Sequence, residues 1–313
     1  MRITLVVRGA IPCKGYGGTQ RQVEWLASEL ARLGHRVVLI ADPGSSHPLC
    51  EVRQASSAQQ CRAAIPADTE IVHFNSWFIE VPFPTLNTEH GYTPSEPRRQ
   101  KNWSFVSASH ARNHGRETFV HNGFPIDAYR LAETKTDRLM FLAGIARAGK
   151  NLNRAIDLAK KFDFPLDIAG GSRWKLLTRS HVRNQGVFFK SLASRYRFHG
   201  IVDGDDKLRL LGEAKAFLNP IAWEEPFGMA SVEAMLCGTP VLTTPRGALP
   251  EIVDADTGRF FDSDAEFGAA LAAVADLSPQ RCRDSAAERF PIARTAKGYL
   301  DLYARILDGE VLP

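Results

Sequence analysis

The sequence predicts an α/β protein of two doubly wound domains, each built on an open parallel sheet with helices on both faces. Short apolar, strand-like runs alternate with amphipathic, helix-like segments almost throughout. The alternation stops after residue 127 and restarts at residue 139, and 313 residues suit two domains of about 150 each. Because ligands of such sheets bind outside the carboxyl ends of the strands, we expect a ligand between the two domains.

In the first half, residues 3–7 predict a strand that leads through a glycine-rich loop into a helix. The apolar residues of that helix recur at helical spacing from Val23 to Leu33, and the Leu-Gly-His of 33–35 ends it. Further strands are predicted at residues 37–41, 70–74, 85–89 and 104–108.

A polar stretch at residues 128–137 is interpreted as the connection between the domains. The second half then predicts strands at 139–143, 165–170, 196–200, 216–220 and 240–244, and helices at 152–162, 264–275 and 292–307. We expect an N-terminal domain of residues 1–127 and a C-terminal domain of residues 128–291. The last helix, about 292–313, is expected to pack back on the N-terminal domain.

Composition narrows the class of protein. The net charge of +4, from 39 basic and 35 acidic residues, does not predict a nucleic-acid partner and is compatible with a small anionic substrate. The apolar run at 3–7 is too short for a signal peptide, and no later run could span a membrane. Five cysteines without paired spacing indicate reduced thiols. We expect a cytoplasmic protein without a transmembrane segment, and peripheral membrane contact stays open.

The segment WEEPFGMASVEAMLCGTP (223–240) predicts a strand-to-helix turn with an anion site. Pro226 disfavours helical geometry at Glu225, which therefore lies in the loop at the carboxyl end of a strand. The helix is predicted to begin near Gly228 and to end at the Gly-Thr-Pro that closes the segment. Helix N-termini expose unpaired N–H groups and carry about +0.5 charge, so residues 227–230 are suited to an anion.

Two glutamates bracket this helix start. A single glutamate there commonly does no more than favour the helix N-terminus, by a few tenths of a kcal/mol. Glu225 and Glu233 together suggest more, because carboxylates on either side of a bound diphosphate would bind hydroxyl groups. A nucleotide sugar has this arrangement, with a ribose on one side of the diphosphate and a hexose on the other.

The segment 224–253 resembles the Glu-x7-Glu region of retaining glycosyltransferases of family 4. These enzymes have the GT-B fold, in which two Rossmann-like domains face a central cleft. The resemblance covers nearly the whole chain, in the family's order. Its other parts are YGGTQRQVEWLASELARLGHRVVLIA (16–41), VHNGFPID (120–127), AGIARAGKNLNRAI (143–156), DIAGG (167–171) and RFHGIVDGDDKLRLLGEAKAFLNPIAWEEPFG (197–228).

The resemblance implies a role for each matching residue of the second domain. Glu225 would contact hydroxyl groups of the donor sugar, and Glu233 would hold the ribose. The backbone at the helix start would bind the distal phosphate through Phe227, Gly228, Met229 and Ala230. The second domain would thus bind the nucleotide sugar, and the first domain the acceptor.

Further residues follow from the same resemblance. Gly17 and Gly18 would approach the diphosphate closely, which the absence of a side chain permits. Arg147 and Lys150 match the basic pair that neutralises the diphosphate, and His90 matches the active-site histidine, which we assign to positioning the sugar.

The basic pair departs from the family pattern in one respect. The family has an arginine directly after the glycine that follows this strand, whereas here Gly144 is followed by Ile145 and Arg147 comes two residues later. If Arg147 points elsewhere, neutralisation of the diphosphate depends on Lys150 and the helix.

The predicted function is the transfer of a glycosyl group from a nucleoside-diphosphate sugar, with a UDP-sugar as default, to an unidentified acceptor. Family habit implies retention at the anomeric carbon by front-face attack, without a metal or other cofactor. Two alternatives stay open. A nucleotide-sugar 2-epimerase uses the same scaffold and donor, and a non-catalytic nucleotide-sugar binding module would not need the basic pair or His90.

Other candidate residues have simpler structural interpretations. His73 lies in an apolar strand and is expected to be packed and hydrogen-bonded. His110 and His114 have the i, i+4 spacing of metal ligands on a helix, but no carboxylate completes the set, so surface positions are favoured. Asp203 and Asp205 match an Asp-x-Asp metal motif, yet they precede a helix, and capping is favoured.

Residues 92–103 combine basic and aromatic side chains. They are compatible with a surface for an anionic acceptor and equally with a solvated loop, and the sequence favours neither interpretation.

Overall fold

The computed structural model divides into two compact units. The N-terminal unit comprises Met1–Pro125 together with Phe290–Pro313, and the C-terminal unit comprises Ile126–Arg289. Most of the basic and aromatic stretch considered for an acceptor, residues 92–99, lies outside the described residues, as does Tyr16 of the glycine-rich loop. The structure describes residues 1–15, 17–91, 100–178 and 186–313.

The N-terminal unit contains a six-stranded parallel sheet in the order β3-β2-β1-β4-β5-β6. Its strands are β1 (Arg2–Val6), β2 (Arg36–Ala41), β3 (Glu51–Gln54), β4 (Ile71–Phe74), β5 (Thr85–Thr88) and β6 (Trp103–Ser104). The parallel sheet and the strands β1, β2, β4 and β5 are as predicted, whereas β6 shares only Ser104 with the predicted strand at 104–108 because a helix begins at Ala108. The polar edge strand β3, Glu-Val-Arg-Gln, was not predicted because it lacks an apolar run.

The core of the N-terminal unit lies between the sheet and two long helices. Leu5 and Leu39 of the sheet pack with Leu26 of the first helix and Tyr299 of the last one. His73 is fully buried beside this core; its ring nitrogens are 2.7 Å from the Tyr303 hydroxyl and 2.8 Å from the Thr88 hydroxyl, as predicted for a packed histidine. The helices of the unit are Gly18–Arg32, Ala58–Ala64, Ala108–Asn113 and Ile292–Leu307.

The segments that leave and re-enter the N-terminal unit run side by side. The Phe124 N–H donates to the carbonyl of Phe290 and the Ile292 N–H donates to the carbonyl of Phe124, both at 2.9 Å. The buried amide of Gln22 makes two hydrogen bonds to the backbone of Gly123, at 2.9 and 3.1 Å. The first of the two segments is therefore fixed to the first helix as well as to the second segment.

The C-terminal unit contains a second six-stranded parallel sheet, in the order β12-β11-β10-β7-β8-β9. Its strands are β7 (Leu139–Leu142), β8 (Leu166–Ala169), β9 (Tyr196–Phe198), β10 (Ala216–Asn219), β11 (Val241–Thr243) and β12 (Gly258–Phe260). All were predicted except the short edge strand β12. The core of the C-terminal unit includes Phe141, Leu218 and Phe267.

Helices cover this sheet. The α-helices are Leu152–Lys161, Lys175–Thr178, Val187–Lys190, Gly204–Glu213, Met229–Leu236, Leu249–Ile252, Asp264–Ala273 and Pro279–Arg289, and 3-10 turns lie at Ile126–Ala128, Ala148–Lys150 and Val274–Asp276. Asp203 caps one helix by accepting a hydrogen bond from the Gly204 N–H at 2.8 Å, as predicted. Within the described ranges, no helix is both long and apolar enough to cross a membrane.

The strand order of the second sheet determines where its loops meet. β10 pairs with β7 in the middle of the sheet, and each of these two strands has later neighbours on its other side. The loops after β7 and β10 therefore leave the same edge at adjacent positions, which is where open parallel sheets bind ligands.

Candidate active site

In the C-terminal unit, the loops after β7 and β10 are joined by backbone and aromatic contacts. The Ala222 N–H donates to the Gly149 carbonyl at 2.9 Å. The Trp223 indole lies directly on Gly149, since a Cβ at that glycine would be only 2.9 Å from the ring. The two loops form one rigid surface that requires a glycine at position 149.

Three side chains meet on this surface. The Lys150 Nζ and the Trp223 Nε1–H both donate to Oε2 of Glu225, each at 2.6 Å. Lys150 also lies 5.1 Å from the centre of the indole ring. The Lys150 and Glu225 side chains are 14% and 9% exposed, so the pair is largely shielded from solvent. A cation and a carboxylate are thus fixed next to each other at the carboxyl edge of the sheet.

The helix Met229–Leu236 begins beside this pair. Gly228 caps it with a φ of +97°, and a Cβ there would also lie 2.9 Å from the Leu249 side chain, so this position favours glycine. In the described backbone, the first helical N–H bonded back to the chain is that of Ser231, to the Gly228 carbonyl at 2.9 Å. The N–H groups of Met229 and Ala230 precede it and form the positive end of the helix.

Side chains around the helix start fix its position. Phe227 is 2% exposed and anchors the turn, whereas Met229 and Ala230 are half-buried. The predicted anion site therefore has a buried anchor and accessible amides, adjacent to Lys150 and Glu225.

Glu233 lies on the same helix, one turn beyond the anion site, in a buried ion pair. Lys207 Nζ donates to its Oε1 at 2.6 Å, and the Tyr129 hydroxyl donates to the same oxygen at 3.2 Å. The Lys207 and Glu233 side chains are 10% and 8% exposed. Both hydrogen bonds that the described residues make to the Glu233 carboxylate end on Oε1.

The loop after β11 supports the Glu225 backbone. The Ala248 N–H donates to the Glu225 carbonyl at 2.9 Å, and the Gly247 N–H donates to the Glu224 carboxylate at 2.8 Å. Gly247 has a φ of +59°, and a Cβ there would overlap the backbone nitrogen and oxygen of Glu225. The close approach of these two loops therefore depends on this glycine.

Arg147 lies on the same loop as Lys150, immediately before the 3-10 turn Ala148–Lys150. Its side chain is exposed and runs beside Gly144, about 3.6 Å from where a Cβ would be. Arg147 is therefore accessible at the edge of the site, while Lys150 is held inside it.

A separate pocket of about 560 Å³ opens near the carboxyl ends of β8 and β9. Its wall includes aromatic rings, and the Arg173 guanidinium stacks 4.7 Å from the centre of the Phe198 ring. His199 also lines it and is 2.9 Å from the Asp167 carboxylate. The lining residues are Ser172, Arg173, Trp174, Phe188, Leu192, Phe198, His199 and Gly200.

In the N-terminal unit, His90 follows β5 and is oriented by Asn75, which follows β4. Its Nε2 lies 2.7 Å from the Asn75 amide oxygen, so the Nε2–H donates and Nδ1 is the acceptor. Burial, with a smaller contribution from the charge of His110, lowers the pKa of His90 to about 3. The imidazole is therefore neutral at physiological pH, and the described residues provide no hydrogen bond to its Nδ1.

The two glycines of the predicted diphosphate loop lie at the start of the helix Gly18–Arg32. Gly17 is its N-cap residue, and a Cβ there would overlap Cys13 Sγ and lie 2.8 Å from the Gln20 side chain. The tight turn after β1 thus requires glycine at position 17.

The prediction of surface positions for the histidine pair was wrong. His110 is only 2% exposed and its Nε2–H donates to the Gly91 carbonyl at 3.0 Å. His114 is half-buried and stacks on Phe105, with ring centres 4.9 Å apart. The apolar end of the strand before this helix attracts both rings, which the i, i+4 spacing did not reveal.

Most of the C-terminal unit is similar to a known protein family. Residues 137–277 match the family described as glycosyl transferases group 1, and this region contains Lys150, Glu225 and Glu233. The matched region covers most of the C-terminal unit and less than half of the chain. The putative glycosyltransferase YtcC of Bacillus subtilis is 37% identical over 107 residues, which cover 32% of this chain and 25% of YtcC. The match thus spans about a quarter of that relative's length.

Solved structures show the fold of the whole chain. AviGT4, a glycosyltransferase involved in avilamycin A biosynthesis, is similar with a TM-score of 0.84 and 24% identity, covering 100% of this chain and 99% of AviGT4. Sucrose-phosphate synthase from Thermosynechococcus elongatus gives 0.78 at 17% identity, over 99% and 100%. HepE from Anabaena, solved with UDP and glucose, gives 0.74 at 16% identity, over 97% and 99%. The chain has the GT-B fold.

Sequence reasoning missed several residues of the C-terminal unit that contact the candidate site. Trp223, Tyr129 and Gly247 hold the two glutamates but are distant in sequence or lack a motif. Lys207 left one signal that went unused: it shares a helical stripe with the buried Leu210 and Leu211. A lysine on an apolar stripe indicates a buried partner, which here is Glu233.

Proposed function

We propose that this protein is a retaining glycosyltransferase that moves a sugar from a nucleoside-diphosphate sugar to an acceptor, with a UDP-sugar as the default donor. The observation that carries the proposal is the arrangement of Lys150 and Glu225 beside the open helix start at Gly228. It offers a cation and amides to a diphosphate and a carboxylate to a sugar. The UDP and glucose present with HepE are compatible with this donor class.

The leaving diphosphate gains negative charge as its bond to the anomeric carbon breaks. Preorganised donors stabilise that charge, and loss of one such donor typically costs about 3 kcal/mol in activation free energy. Lys150, the N–H groups of Met229 and Ala230, and Arg147 supply these donors without a metal. We propose that Lys150 exchanges part of its bond with Glu225 for a phosphate oxygen when the donor binds.

Retention follows if the acceptor hydroxyl attacks from the side of the leaving group. The new bond forms between the acceptor oxygen and the anomeric carbon as the bond between that carbon and the phosphate oxygen breaks. The departing phosphate then takes the proton of the acceptor hydroxyl. No protein base is then required. His90 suits a positioning role instead, because a neutral imidazole with a pKa of about 3 is a weak base but a good hydrogen-bond acceptor at Nδ1.

The remaining parts of the donor have suitable neighbours. We propose that Glu233 binds the ribose, and that the backbone at Gly17 and Gly18 contacts the diphosphate, which the absence of side chains permits. We assign the heterocyclic base of the nucleotide to the pocket after β8 and β9, because aromatic faces and the Arg173 guanidinium suit a planar ring. The five free cysteines support a reducing, cytoplasmic location.

The proposal is tested by a thermal-shift screen with UDP-, GDP-, ADP- and dTDP-sugars. We expect one nucleotide series to raise Tm, and the sugar that raises it most to be transferred to a surrogate acceptor with its anomeric configuration kept, as read by NMR. An isomeric nucleotide sugar formed without acceptor would identify an epimerase instead. Failure of all four series to raise Tm would contradict the donor site.

A further inference from the structure

We propose that Lys207 and Tyr129 are positioning residues that make the site select ribonucleotides over deoxyribonucleotides, by fixing the Glu233 carboxylate in one orientation. This inference rests on the proposed function, in which Glu233 binds the ribose. Neither residue needs to touch the nucleotide; each acts through Oε1 of Glu233.

Two other segments of the C-terminal unit converge on this carboxylate. Lys207 comes from the helix Gly204–Glu213 and donates at 2.6 Å, and Tyr129 follows the 3-10 turn Ile126–Ala128 and donates at 3.2 Å. Two donors on one oxygen prevent rotation of the carboxylate. They leave Oε2 as the atom with free lone pairs for ribose hydroxyl groups.

The ion pair is expensive to maintain, which argues for a use beyond packing. A carboxylate as buried as Glu233 loses several kcal/mol of hydration, and apolar residues of similar volume commonly replace such pairs without loss of stability. Here the 2.6 Å hydrogen bond from Lys207 fixes the orientation of the carboxylate. An ionised oxygen accepts from neutral hydroxyls more strongly than a protonated acid does.

Another lysine of the same unit, with a fully hydrogen-bonded ammonium group, shows what a purely structural role looks like. Lys135 Nζ donates to the carbonyls of Gly212 and Gly238 and to the Thr239 hydroxyl, at 2.6, 2.9 and 2.7 Å. All three partners are uncharged and belong to helix ends or turns. Burial lowers the pKa of Lys135 to about 8. Lys135→Met is therefore a control for removal of a hydrogen-bonded ammonium group that has no carboxylate partner.

The experiment measures Kd by calorimetry for the nucleoside diphosphate that binds in the thermal-shift screen, UDP by default, and for its 2′,3′-dideoxy form. We expect the wild-type protein to prefer the ribonucleotide on the order of tenfold or more, as hydrogen bonds to an ionised carboxylate would give. Lys207→Met should lower affinity for the ribonucleotide alone, so that the preference falls to within about twofold. Lys207→Arg should keep most of the preference for the ribonucleotide, and Tyr129→Phe should reduce this preference about threefold.

The controls separate positioning from stability. Lys135→Met should lower Tm and leave the preference unchanged, and Tyr129→Phe keeps the test available if Lys207→Met does not fold. A folded Lys207→Met or Tyr129→Phe protein with the full wild-type preference would overturn the inference. Absence of any preference in the wild-type protein would overturn the ribose role of Glu233 as well. Failure of every nucleotide to bind would refute the proposed function itself.

Discussion

Replacement of Lys150 by methionine tests the centre of the site. Methionine keeps much of the side-chain volume and removes the charge, so Glu225 loses one of two donors to Oε2 and keeps the Trp223 indole at 2.6 Å. Because the pair is largely shielded, the lost hydrogen bond to a charged group should cost about 2 kcal/mol of unfolding free energy. The C-terminal unit, Ile126–Arg289, would then melt roughly 4 to 8 °C lower.

The effect on catalysis should be much larger than the effect on folding. Loss of a donor to the leaving diphosphate predicts a fall in kcat of roughly 100- to 1,000-fold at a temperature where the variant is fully folded. The assay is product formation from the identified donor, with circular dichroism to confirm the fold. Lys150→Met combined with Glu225→Gln should recover stability, since no buried charge is left unpaired, but not turnover. Near-normal kcat in Lys150→Met would refute the phosphate role.

Three other outcomes are expected. Turnover should be unchanged in excess chelator, and loss of turnover there would show that a metal ion is required. Unfolding free energy should fall as pH drops from about 6.5 towards 3, by about 1.4 kcal/mol per pH unit for each of His73 and His90. The reason is that burial lowers both pKa values to about 3, while the unfolded rings titrate near 6.5. Urea titrations of His73→Gln should show a pH slope smaller by the contribution of one histidine, and an unaltered slope would contradict this. Gly247→Ala should abolish most turnover, because the new Cβ would overlap the Glu225 backbone. The control Gly186→Ala has a similar φ of +65° but open space around it, so it should cost only about 1 to 2 kcal/mol of stability and keep activity. Equal activities of the two variants would show that the overlap at Gly247 is relieved without consequence.

Local pattern was enough to predict the parallel sheets, because their central strands are continuous apolar runs. It failed at the edges: β3 is polar and half-exposed, and β12 contains one apolar residue in three. Such strands form because a neighbouring strand offers unpaired backbone groups, and that information lies elsewhere in the chain.

The site shows the same division. Pro226 and Gly228 predicted the helix start through their backbone preferences, and Gly228 is the N-cap residue of the helix in the structure. The contacts that orient the glutamates could not be predicted, since Lys207 and Glu233 are 26 residues apart and Lys150 and Glu225 are 75 apart. Such pairings depend on which strands become neighbours, and no local signal encodes that.

The paired segments around Phe124 and Phe290 have a consequence for how such a protein can be built. The backbone enters the C-terminal unit and returns at one point on the N-terminal unit, so residues 126–289 form an insertion whose ends are adjacent. A short linker could close the N-terminal unit after their removal, and another unit with adjacent ends could replace them. Recombination at this single junction would exchange one C-terminal unit for another and leave the core of the N-terminal unit intact.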